Sequence, residues 1–186
     1  MKEWYRFRTA APAPTGWNVI KTLIQVCLFW TVFLAVSPWM VFRIEQTATE
    51  GHWTFAGSWA TWTGIILFLA FSCLGRCSGA IMAAVGEGTP LPVDCANKLV
   101  ARGPYSLVRN PMAIAGIGQG VSVGIALGSL AVILYALAGA VLWHFLVRPA
   151  EERDLQRRFG SDYERYRQNV PLWLPRLTPY VPTQTL

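Results

Sequence analysis

Residues 86–111 read GEGTPLPVDCANKLVARGPYSLVRNP, a polar, glycine- and proline-rich stretch set between long apolar segments. Gly86 and Gly88 permit tight turns, and Pro90 and Pro92 stiffen the extended piece that follows. Gly103-Pro104-Tyr105 and Arg109-Asn110-Pro111 add a second, shorter pair of breaks. A shaped loop of this length between apolar spans carries function more often than mere connection. The rest of the chain reads as its frame.

That frame is apolar. Of 186 residues, 53% are hydrophobic and 14% charged, and the mean hydropathy is +0.35. These values belong to integral membrane proteins and to one helical bundle, a single domain over 1–186. The formal charge of +6 sits beside apolar spans, so it points to membrane lipid and not to nucleic acid. Cys27, Cys73, Cys77 and Cys95 lack the His or acidic neighbours of a metal set and read as small apolar packers; no metal site is expected. Residues 1–16 lack the apolar core of a signal peptide, and with Lys2, Arg6, Arg8, Trp4, Tyr5 and Phe7 they are expected to lie along the headgroups.

Two spans precede the loop, about 17–42 and 59–85. After it, Met112–Val147 is one apolar run of 36 residues. A single helix of that length would reach about 54 Å, far beyond a hydrocarbon core of about 30 Å. Gly128-Ser129 near its middle divides it into a hairpin of two helices, 112–128 and 129–147. The expected fold is therefore all-α: about four transmembrane helices, a C-terminal helical hairpin and an amphipathic tail helix. Basic residues gather on the side of the termini and the central loop: Lys2, Arg6, Arg8, Lys98, Arg102, Arg109 and seven arginines from Arg148 to Arg176. Arg43 stands alone opposite, so the termini and loop are expected in the cytoplasm, as in a bacterial inner membrane. Trp39, Trp53, Trp59 and Trp62 would form the outer aromatic belt, with His52 in the same outer loop.

Within the third span Gly116, Gly120, Gly124 and Gly128 recur every four residues. Such a stripe suits close helix packing, inside the chain or between subunits, or a groove for a lipid tail. In the tail, Leu155, Phe159, Tyr163, Tyr166 and Val170 share a helical face, with a break at Gly160 and a capping box at Ser161-x-x-Glu164.

The residues able to carry chemistry cluster at the inner boundary. Pro149 lacks the amide that would reach the carbonyl of Phe145, so a kink or restart is expected there. Arg148 and Glu152 are four apart and able to pair. Glu151 and Glu152 are either solvent-facing caps of a helix start or paired carboxylates matched by Arg109, Arg148 or a bound ammonium. Arg76 lies close enough to its span's end to snorkel, and His144 reads as a hydrogen-bonded helix contact before it reads as a base.

Taken together, GEGTPLP…LVARGPYSLVRNPM and EERDLQRRFGSDYERYRQNVPLWLP resemble the isoprenylcysteine carboxyl methyltransferase family and its bacterial phospholipid methyltransferase-like members, over 86–175. The resemblance implies a membrane methyltransferase that binds S-adenosylmethionine in a cytoplasmic pocket and methylates a lipophilic small molecule or lipid entering from the bilayer. It implies that Leu99, Val100, Gly103, Pro104 and Tyr105 line that pocket, that Arg109, Asn110 and Pro111 flank the cofactor, and that Glu151 or Glu152 holds its amino group. Arg148 and Glu152 match the residues at the methyl-transfer end, and with Arg109 they form the expected catalytic set. The chain departs from the family pattern at Ala113, where a Tyr is usual, at Cys95-Ala96 and at Leu172. An NADPH-dependent reductase of the sterol-reductase type, and a non-catalytic module of the same fold, are the alternative readings.

Overall fold

The computed structural model describes residues 14–51, 54–55, 57–87 and 96–182. Expectations for residues 1–13, Gly88, Pro90, Pro92, Cys95, His52 and Trp53 lie outside the described residues. The described chain is a helical membrane bundle. Its elements are α1 (Thr15–Thr31), a π turn (Val32–Val36), α2 (Ser37–Ala48), α3 (Ser58–Val85), a short 3-10 turn (Gly103–Ser106), α4 (Pro111–Leu127), α5 (Leu130–Leu142), a second π turn (Trp143–Val147) and α6 (Arg148–Asn169). Three helical stretches are long and apolar enough to cross a membrane: Val19–Ala48, Ser58–Val85 and Leu130–Asn169. The fourth, α4, has 17 residues.

Short α4 sits at the centre of the bundle and is built of small residues. Gly64 of α3 lies so close to α4 that an added Cβ would fall 2.5 Å from the Ala126 amide nitrogen. At Gly118 it would meet the Phe71 ring at 2.5 Å, and at Gly116 the Trp30 ring at 2.2 Å. At Gly120 and Gly124 it would meet Ala136 and Ile133 of α5 at 2.9 and 2.6 Å. The glycine stripe is thus consumed in contacts with α1 and α5 of the same chain, which is how helices associate where lipid offers no hydrophobic drive. Gln119 adds a polar tie across the bundle, donating to Ser72 Oγ at 2.8 Å.

The hairpin break falls where the sequence places it. Gly128 takes φ +61, and a Cβ there would lie 1.8 Å from the carbonyl oxygen of Phe55, so both backbone and space demand glycine. Ser129 N-caps α5, its Oγ accepting from the Val132 amide at 3.1 Å. Glu45, only 3% exposed, completes the cap from α2. Its carboxylate accepts from the Ser129 hydroxyl and from the Ala131 amide at 2.9 Å. An anion at a helix N-terminus is favoured by the helix dipole and by its orphan amides.

Two expectations change. The first span does not end at Phe42; the helix continues to Ala48. Nor does the chain restart at Pro149. A π turn precedes Pro38 and Pro149, the two prolines within continuous helical stretches, by the same offset, and the helix runs on. The Ser37 amide bonds to the Val32 carbonyl, and the Arg148 amide to that of Trp143, each reaching back five residues instead of four. This wider turn takes in one extra residue and relieves the clash between the proline ring and the carbonyl four residues back. The true break comes at Gly160, whose φ of 49 and ψ of −121 kink α6 in its middle.

Candidate active site

The site is assembled by the tail folding back on the central loop. At the loop's base, the amides of Asn97 and Lys98 bond to the Gly86 carbonyl at 2.7 and 3.1 Å, and Lys98 pairs with Glu87. Past Gly160, the apolar face of α6 closes over the loop: Tyr163, Tyr166 and Val170 form a buried core with Leu99 and Ala101, flanked by Leu155, Phe159 and Tyr180. Tyr166 donates its hydroxyl to the Tyr105 carbonyl at 2.7 Å. The backbone that follows runs along the 103–109 turn. The Arg109 amide bonds to the Pro171 carbonyl, the Arg176 amide to that of Leu107, and the Tyr180 amide to that of Ser106, each at 2.9 Å.

This scaffold brings the charged residues together. Arg109 Nη1 donates to Glu152 Oε1 at 2.7 Å, and both side chains are largely buried, 13% and 17% exposed. Arg148 reaches the same oxygen at 3.8 Å, while its Nε donates to the His144 carbonyl at 3.2 Å. Arg109 Nε is buried and has no hydrogen-bond partner among the described residues. Glu151, half-buried on the adjacent position, has its carboxyl pushed up to about 7, first by loss of solvent and then by the neighbouring Glu152 charge. Burial, followed by the Glu151 charge, likewise raises the Tyr105 phenol well above its ordinary range. Tyr163 is pushed up to about 12 by burial and then by Glu152, with Arg109 pulling the other way. Neither carboxylate behaves as a simple solvent-facing cap.

The loop residues divide into two groups. Leu99, Val100 and Tyr105 are buried, at 7%, 5% and 5% exposure, so their side chains build the platform. Gly103 (φ +57) and Pro104 form the 3-10 turn that carries Tyr105. Asn110 is the N-cap residue of α4 and Pro111 its first residue. Arg76 is exposed on α3. His144 is a contact residue: its Nδ1 accepts from the Trp173 indole at 3.2 Å, with the two rings stacked 5.8 Å apart. Trp173 joins the site without an expectation from the sequence, as does Arg158, which bonds to the Ala96 carbonyl at 2.6 Å and pairs with Asp154 at 2.8 Å. The i, i+4 spacing of Asp154 and Arg158 was a usable signal; nothing local marks Trp173.

S-adenosylmethionine carries an ammonium, a carboxylate and a sulfonium, and the donor set suits it. Glu152 offers a carboxylate to the cations, and Arg109 Nε, without a hydrogen-bond partner among the described residues, offers a donor to the carboxylate.

The chain is 27% identical over 174 residues to protein-S-isoprenylcysteine O-methyltransferase of Xenopus laevis, covering 90% of this chain and 57% of that protein. It is 31% identical over 139 residues to the cobalt-zinc-cadmium resistance protein CzcN of Cupriavidus metallidurans, covering 70% and 57%. It is 26% identical over 179 residues to methanethiol S-methyltransferase 2 of Bradyrhizobium diazoefficiens, covering 94% and 64%. The chain thus spans roughly three fifths of the length of these relatives. The sequence pattern of the phospholipid methyltransferase family matches residues 59–162, from the start of α3 to the second half of α6. By that match, which takes in the loop, Arg109 and both glutamates, the chain belongs to the phospholipid methyltransferase family.

Proposed function

We propose that this chain binds S-adenosylmethionine at the inner membrane boundary and transfers its methyl group to a lipophilic acceptor that enters from the bilayer. The observation that carries the reading is the convergence of Arg109 and Arg148 on Glu152, at 2.7 and 3.8 Å, beside a Glu151 carboxyl poised near neutrality. Bound S-adenosylmethionine supplies an electrophilic methyl group on a sulfonium. Glu152 would hold the ammonium, Arg109 Nε would take the carboxylate, and the termini and site would face the cytoplasm, where a charged cofactor is soluble.

The chain's own part is alignment and exclusion of water. The core around Tyr163, Tyr166 and Leu99 keeps the charged cluster rigid and largely dry, which strengthens each electrostatic contact. A carboxylate acceptor needs no base, and Arg148 would orient it. A thiol, amine or hydroxyl acceptor must lose a proton. Glu152 is engaged by two guanidinium groups, whereas Glu151 titrates near neutrality and is the better placed to accept that proton.

The test is ligand-dependent stability of the purified protein in detergent. S-adenosylmethionine or S-adenosylhomocysteine, at a hundredfold excess over its dissociation constant, is expected to stabilise the fold by about 2.7 kcal/mol. Stabilisation by NADPH in its place would favour a reductase, and no response to any of these ligands would favour a non-catalytic module.

A further inference from the structure

Residues 170–182 contain four prolines, Pro171, Pro175, Pro179 and Pro182, and three aliphatic side chains that nothing covers among the described residues. Leu174 is 79% exposed, Leu177 101% and Val181 79%. The segment is nonetheless held at a defined level. At one end Trp173 bonds to His144 and packs edge-on against Trp143, 5.6 Å between ring centres. Both partners belong to the π turn that ends the last span, where Leu142, Phe145 and Leu146 are exposed as lipid-facing residues are. At the other end, Arg176 and Tyr180 bond to Leu107 and Ser106, just before α4 begins at Pro111. Two independent anchors therefore tie the segment to the end of the last span and to the turn that leads into α4.

We propose that residues 171–182 form an interfacial anchor, with Leu174, Leu177 and Val181 immersed at the headgroup–acyl boundary of an anionic leaflet. Prolines suit this place because each removes an amide that lipid could not satisfy and stiffens the chain before insertion. Arg176, half-buried and donating to the Asn169 carbonyl at 2.8 Å, lies within the segment, and Arg167 is exposed near the end of the preceding helix, whose kinked second half also carries Asp162 and Glu164. Basic groups beside apolar fingers complement anionic headgroups.

Nitroxide accessibility tests this on the full chain in nanodiscs, with the four cysteines replaced by Ala and a label at Leu174→Cys or Leu177→Cys. Gln168→Cys, exposed on α6, is the aqueous reference. The collision ratio of oxygen to a nickel chelate is expected to be at least threefold higher at 174 and 177 than at 168, and higher again with phosphatidylglycerol than with phosphatidylcholine alone. Equal ratios at all three positions overturn the anchor, and equality between the two lipids overturns its anionic character. If the cysteine-free chain does not fold, trypsin cleavage after Arg176 gives the same decision. The native chain in phosphatidylglycerol discs is expected to be cut about tenfold more slowly than the L174Q/L177Q variant, and equal rates refute the proposal.

Discussion

Replacing Glu151 by Gln isolates the raised carboxyl. Its pKa moves from 4.5 in the unfolded chain to about 7 in the fold, so between those values the folded protein holds a proton that the unfolded chain has released. The unfolded state then binds fewer protons than the native state, and stability falls as pH rises from about 4.5 to about 7. At 1.36 kcal/mol per pH unit the full displacement corresponds to about 3 kcal/mol; partial exposure of Glu151 trims this to roughly 2 kcal/mol. For a chain of this size that is a fall in midpoint of roughly 4–8 °C. Thermal unfolding in a nonionic detergent at pH 5, 6, 7 and 8 measures it, and the difference between wild type and Glu151→Gln removes the contribution of every other acid. The variant is expected to lose most of the slope and to be the more stable protein at pH 8. A variant with the wild-type slope would refute the assignment of a neutral, poorly solvated carboxyl to this position.

Removing Glu152 acts in the opposite sense. Glu152→Ala strands the buried Arg109 charge and is expected to cost about 3 kcal/mol, while a double-mutant cycle with Arg109→Gln should return a coupling of about 1.5–3 kcal/mol by thermal unfolding. At the far side of the bundle, Gly128→Ala is expected to destabilise by more than 3 kcal/mol, because a positive φ and a Cβ 1.8 Å from the Phe55 oxygen leave no room to relax; an unchanged midpoint would contradict the turn.

The features legible in the sequence are those that local chemistry writes. Gly128-Ser129 divides the hairpin because a left-handed glycine followed by a capping serine is a turn wherever it occurs. Gly160 and the Leu155–Val170 face show themselves by periodicity, and the charge of Arg109 and Glu152 at one boundary follows from span positions. What stayed hidden depends on partners distant in sequence. Glu45 reads as an ordinary polar residue after a span until the fold carries it to Ser129. Trp173 acquires its role only when the tail returns to His144. Pro149 signals a kink or restart by local chemistry, Pro38 lies inside the expected first span, and the π turns that absorb both leave no composition signature.

The second π turn also sets the bearing of the charged face. One residue added to a helical turn rotates everything below it by about 100° relative to the span above. Arg148 and Glu152 look towards Arg109 because that rotation has been made, while the apolar flank of α5 keeps its own partners on α4. Lipid-facing and charge-bearing stripes are thus phased separately on one continuous rod. Loss of a single residue anywhere in 143–147 would restore the clash at Pro149 and turn the carboxylates below it aside, like a key cut correctly and inserted out of true.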